Sequence, residues 1–94
     1  MTIELTQTRI DKIVKFLEKR MEDEFVAKQD IMDGRDPATC AMRISESQNR
    51  RWGANELLNI LGIGVSYDFD VNPAEYCAVE LYKIATDEVI SCKP

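Results

Sequence analysis

Apolar residues recur at three- and four-residue steps through the first third of the chain: Ile10, Ile13, Val14, Leu17, Met21 and Phe25. They form one stripe of an amphipathic helix, expected over about residues 8–32. Asp11 with Lys15, and Arg20 with Glu24, stand four apart with opposite charge and add modest support. Gly34, closing "IMDG", is the expected stop. Phe16 and Val26 fall off the stripe, which points to a second contact surface. A second helix is expected over about 37–61, with Asp36 as cap, Pro37 in the first position and Gly62 as stop. Its middle, "SESQNRR" from Ser45 to Arg51, has no apolar residue. There the helix either breaks or faces water or a polar ligand. Trp52, Ala54, Leu57, Leu58, Ile60 and Leu61 then restore an apolar end, with Trp52 expected to anchor the core or, alternatively, an interface. The short connection "DGRD" makes the two helices an antiparallel hairpin.

Beyond Gly62 the period changes to two. Ile63, Val65, Tyr67, Phe69 and Val71 alternate with small or acidic residues, the pattern of a half-buried strand over about 63–71. A strand needs a mate for its backbone groups. The options are "TIELT" at the start, "EVISC" near the end, or the same strand of a second subunit. In "YDFDVNPAE", Asp68, Asp70 and Asn72 are spaced like the head of an EF-hand loop. That loop needs glycine where Pro73 stands and glutamate where Val79 stands, so calcium is not expected. The stretch suits a helix start instead: Asn72 caps, Pro73 follows, and Glu75 completes a capping box. A C-terminal helix is therefore expected over about 73–87, with Ala74, Cys77, Ala78, Leu81, Ile84 and Ala85 inward. The expected fold is α+β, mostly α, in a single domain spanning residues 1–94: a long helical hairpin, one alternating strand and a C-terminal helix.

Composition narrows the chemistry. The chain has 94 residues, 45% apolar and 31% charged, ordinary for one globular domain with a modest core. It has no apolar run of about 18 residues, and "MTIELTQTRIDK" lacks the basic-then-apolar order of a secretion signal, so a cytoplasmic home with no membrane contact is the default expectation. There is no histidine, which removes the commonest general base and the Ser-His and Cys-His nucleophile pairs. Cys40, Cys77 and Cys92 are scattered, so no metal site is expected and the thiols read as small hydrophobes. No glycine-rich phosphate loop or nucleophile elbow appears. Neither an enzyme nor a cofactor is expected.

The net charge of −5 is uneven. Residues 35–51 carry four arginines against two acids, whereas residues 52–94 carry two lysines against seven acids. An acidic whole with one arginine island argues against direct nucleic-acid binding. Arg43 and Arg50 are two helical turns apart on one face, with Ser47 between them, Asn49 nearby and Arg51 adjacent. These donors suit phosphate or carboxylate, and make Arg43, Ser47, Arg50 and Arg51 a candidate ligand group, a shared anion pocket if subunits assemble. Phe16, Trp52, Tyr67, Phe69, Tyr76 and Tyr82 are the aromatic candidates for an interface. The acids of "EDE" (Glu22 to Glu24), with those of the strand and last helix, offer a different device, an imitation of a nucleic-acid backbone.

The hairpin from about Arg9 to Leu61, with "DGRDPA" at its turn and "RRWGAN" further on, resembles the short phage proteins that sequester cyclic-nucleotide signals of bacterial immunity. Those have a Trp and an Asn close together in the second helix; here two residues separate Trp52 from Asn55, a departure in spacing. The leading expectation is a small acidic non-catalytic protein acting stoichiometrically on a protein partner, of the kind phages and mobile elements use against host defence. A homo-oligomer is expected. The alternative is a binder or sponge for phosphorylated ligands, (cyclic) nucleotides among them, through arginines at a subunit interface.

Overall fold

The computed structural model describes residues 5–72 and 78–91. Two helices, α1 (Gln7–Met32) and α2 (Pro37–Ile60), are followed by β1 (Ile63–Tyr67) and β2 (Val79–Lys83). The fold is thus α+β and mostly α. Local chemistry sets the helix ends where the sequence places them. Thr6 caps α1, its hydroxyl accepting from the Arg9 amide at 3.2 Å. Gly34 takes a φ of 86° just beyond α1, and Gly62 one of 83° just beyond α2, a conformation that glycine alone enters cheaply. Asp36 caps α2, accepting from the Ala38 amide at 3.2 Å and the Thr39 hydroxyl at 2.7 Å, with Pro37 in the first turn. These contacts hold the Asp36 carboxyl below its ordinary range, the Thr39 hydroxyl foremost.

The helix is continuous through Ser45–Arg51. α1 and α2 run antiparallel, as Glu24 facing Arg51 and Asp30 facing Arg43 require. Both strands lie on the hairpin, β1 against α2 and β2 against α1. The apolar core is Ile10, Val14, Leu17 and Met21 from α1, Leu58 from α2, and Ile63, Val79 and Leu81 from the strands. Leu17 and Leu81 are fully buried, and side chains of this size contribute about 1.5–3 kcal/mol each when taken from water. This core occupies the end of the hairpin remote from its turn.

The second half departs from expectation. No helix spans 73–87, because Val79–Lys83 is a strand paired antiparallel with β1 in the register Val65 to Leu81. The helical spacing of Ala78, Leu81 and Ile84 coexists with an alternation of Val79 and Leu81 inward and Glu80 outward. Pairing decides between them: only a strand here satisfies the edge of β1. The proposed start at Pro73 and Glu75 lies outside the described residues, as does Tyr76. β1 pairs with Val79–Lys83, a segment not among the candidates. "EVISC" contributes one bridge, Val89 to Tyr82, on the far side of β2. β1 itself is shorter than 63–71. Beyond Tyr67 the Asp68 carboxylate accepts from the Asp70 amide at 3.0 Å, which closes a turn.

Gly64 and Tyr82 face each other across the strands. A Cβ at Gly64 would overlap the Tyr82 ring, so the ring lies on the glycine backbone in the space a side chain would fill.

Candidate binding face

The seam between α1 and α2 changes character along its length. Near the turn it is polar. Glu24 and Arg51 are both buried and pair at 3.3 Å, and Gln48 donates to the same carboxylate at 3.0 Å. Lys28 reaches it from outside at 3.2 Å. Burial alone pushes the Glu24 carboxyl up, but the Gln48 and Lys28 bonds and the charges of Lys28 and Arg51 outweigh it and hold it below its ordinary range. The "SESQNRR" stretch thus neither breaks nor turns wholly outward. Ser47 and Arg51 point inward, and Gln48 joins a polar layer against α1. Arg20 was expected to pair with Glu24; its guanidinium meets Asp23 instead, at 3.6 Å.

Arg51 also lies over two rings. Its guanidinium carbon is 4.8 Å from the Tyr67 centroid and 5.1 Å from that of Phe69. The Tyr67 hydroxyl donates to Asn55, which ties β1 to α2. Burial, partly offset by that bond and by Arg51, raises the Tyr67 phenol above its usual range.

The candidate anion group divides. Arg43, Ser47 and Arg50 line one cleft of about 160 Å³, joined by Arg20, Asp23 and Glu46. Arg51 leaves the group for the interior. The cleft arginines are already engaged: Arg43 with Asp30 at 2.8 Å and Arg50 with Glu46 at 2.6 Å. The Asp30 bond holds the Arg43 proton more firmly than usual. The spacing on α2 alone does not bring in Arg20 and Asp23, which lie on α1. Phe16 to Arg20 to Asp23 is a run of four- and three-residue steps, the one sequence signal that places Arg20 on the same face.

Toward the strand end the same seam becomes an apolar groove of about 300 Å³. Ile13 and Phe16 form one wall, Ala54 and Leu57 the other, Leu17 and Leu58 the floor, and Lys12 stands at the rim. Leu17 and Leu58 are core residues as well, so the strands cover one side of them and the groove lies on the other. Leu57 is 67% exposed and Phe16 44%. Arg20 joins the two halves, its guanidinium 5.1 Å from the Phe16 centroid and its Nε buried without a partner among the described residues.

The other described aromatic candidates do not converge on this groove. Trp52 is 53% exposed, which overturns its expected core role. It is five residues from Leu57, about 140° around the helix, and so faces elsewhere. Phe69 is exposed beside Arg51, while Tyr67 and Tyr82 are half-buried within the chain. Cys40 is a buried free thiol; Cys77 and Cys92 lie outside the described residues. No helix among the described residues is long and apolar enough to cross a membrane. Compared with protein-family models, curated proteins and solved structures, the chain matches none.

Proposed function

We propose that this is a non-catalytic binding protein that acts stoichiometrically on a protein partner through the open face of its helical hairpin. One observation carries the proposal: the apolar groove around Phe16 and Leu57 and the arginine cleft around Arg20 and Arg50 follow one another along the same helical seam, linked where the Arg20 guanidinium lies 5.1 Å from the Phe16 ring centroid. Exposed apolar area bordered by charge is the usual make-up of a protein-recognition surface. An inhibitor of a host defence system, from a phage or mobile element, is one role such a surface suits. A photo-reactive residue at position 57, in cells making the chain, is expected to give one discrete one-to-one adduct with another protein. The same residue at position 52 is expected to give none. Adducts from 52 but not 57 overturn the assignment of the face.

The second reading, a binder of phosphorylated small molecules, is supported by the convergence of Arg20, Arg43, Ser47 and Arg50. Against it, Asp23 and Glu46 line the same cleft and repel a phosphate, and Arg43 and Arg50 must first leave their carboxylates. Nucleotides are therefore expected to leave the melting temperature unchanged. A saturable rise that Arg50→Ala abolishes would reverse the ranking.

A further inference from the structure

We infer that the open edge of β1 receives an extended basic segment of a partner protein, which adds a strand to the sheet and sets cationic side chains toward Asp68, Glu80 and the Tyr82 ring. This edge lies across the core from the apolar groove, so the inference goes beyond the assignment of the hairpin face and does not depend on it.

Backbone bonding comes first. β1 has β2 as its one neighbour in the sheet. The Asp68 amide donates to the Ala78 carbonyl at 2.8 Å, and the Ile84 amide to the Gly62 carbonyl at 3.0 Å. In an antiparallel ladder this phase gives the even-numbered residues of β1 to β2 and turns the N–H and C=O of Ile63, Val65 and Tyr67 the other way. Among the described residues, no hydrogen bond engages those groups. The outer edge of β2 is closed by contrast. The Leu81 amide donates to the Ser91 hydroxyl at 2.9 Å, and the Leu81 carbonyl accepts from the Ile90 amide at 2.9 Å. β1 also lacks the devices that keep an edge strand unpaired: no charge, proline or bulge interrupts Ile63–Tyr67. Such an edge is a template for a further strand.

Charge selects the occupant. From Trp52 to Tyr82 the sequence has no lysine or arginine. Among the described residues, Asp68, Asp70 and Glu80 stand in no ion pair, unlike the acids of the hairpin seam. Glu80 lies opposite Ser66, and both are exposed. A long cationic side chain on an added strand crosses the small Ser66 to reach Glu80 and Asp68. The next outward side chain of that strand stands beside Gly64, where it meets the Tyr82 ring. The residue between them faces the hairpin opposite Val65. The occupant therefore reads basic, apolar, basic. A second copy fits less well. Its β1 brings Asp68 and Asp70 with no cation to meet them. Two-fold pairing also sets the strands about 4.8 Å apart with both α2 helices, each about 10 Å across, beneath them on one face.

The probe is a seven-residue peptide of alternating arginine and valine, added to the full chain. It is expected to bind and to slow amide exchange at Val65, while Ser66, whose amide already faces β2, changes little. N-methylation of the peptide valines, which blocks the ladder and keeps the charge, is expected to weaken binding at least tenfold. Glu80→Lys, at an exposed site, is expected to do the same and to be rescued by a peptide with glutamate in place of arginine. Binding that survives N-methylation overturns strand addition. Equal binding of the arginine and glutamate peptides to the unaltered chain overturns the basic partner. A Val65 amide already protected in the free monomer overturns the open edge, and protection that appears only as a dimer forms overturns it in favour of a second copy. None of these outcomes bears on cross-linking from position 57, so the two surfaces fail separately.

Discussion

Glu24 on α1 and Arg51 on α2 form an ion pair at 3.3 Å in which the side chains are only 6% and 5% exposed. They lock the polar half of the seam, where the fully buried apolar residues are only the small Ala27 and Cys40. Removing Arg51 leaves the buried Glu24 carboxylate with only Gln48 and the outlying Lys28, so Arg51→Met alone is expected to cost about 1–3 kcal/mol, less than a fully orphaned buried charge. Glu24→Gln together with Arg51→Met is expected to cost much less than the two single changes added. Urea unfolding of the four proteins in the cycle measures the coupling. Additive costs would show that the pair does not hold the seam.

The same carboxylate makes the protein acid-sensitive. The folded Glu24 carboxyl lies below its ordinary 4.5, so the unfolded chain takes up the proton first. Its contribution is complete above about pH 5 and is lost as pH falls through the lower folded value. Asp36 shifts in the same direction and adds to the slope. Tyr67 acts at the other extreme. Its folded phenol is raised above 10.0, so stability declines as pH climbs from there through the folded value. Stability measured against pH is expected to be flatter on the acid side in Glu24→Gln and on the alkaline side in Tyr67→Phe.

Much of the hairpin was legible because its signals are local. The α1 stripe, the Asp36–Pro37 start and the two terminal glycines each act within a turn of the backbone they shape. What escaped was set by pairing between distant segments. Val79–Lys83 has residues that suit either period, and it becomes a strand because β1 offers an unpaired edge. The role of "SESQNRR" is also non-local: polar residues look solvent-facing until Glu24, 27 residues before Arg51, is known to lie opposite. The arginine cleft was half legible. Arg43, Ser47 and Arg50 share a face by spacing alone, whereas Arg20 and Asp23 enter only through helix pairing.

Gly64 is required by Tyr82 rather than by its own backbone angle. Gly64→Ala is expected to drive the ring off the sheet and to cost about 1–3 kcal/mol, as overpacked sites do. If the clash is the cause, combining it with Tyr82→Ala removes most of the added penalty. An undiminished penalty in the double variant would place the cost in the strand backbone instead. Thermal unfolding of the four proteins separates the two causes.

Trp52 was expected to anchor the core, and its exposure reverses the forecast for its removal. A buried tryptophan truncated to alanine costs about 3–5 kcal/mol. Trp52→Ala is expected to change stability by no more than about 0.5 kcal/mol, the range of ordinary surface changes. Because the chain has one tryptophan, its fluorescence reports this site alone. The emission is expected to be red-shifted and open to quenching by acrylamide. A blue-shifted, protected signal would mean that Trp52 is covered in solution.

Leu57 and Leu58 are neighbours with opposite duties. Leu58 is 6% exposed and belongs to the core, whereas Leu57 is 67% exposed on the groove wall. Leu58→Ala leaves a cavity beside Leu17 and Ile63, and is expected to cost about 2–5 kcal/mol. Leu57→Ala removes a side chain that water already surrounds, so stability is expected to move by no more than about 0.5 kcal/mol. Partner affinity is expected to respond in the reverse order once stability is matched, because truncating an apolar anchor removes contact area from the interface centre. A Leu57→Ala protein that unfolds as readily as Leu58→Ala would show that the groove is filled within the folded chain. One that keeps full stability and full affinity would move the binding surface off the hairpin.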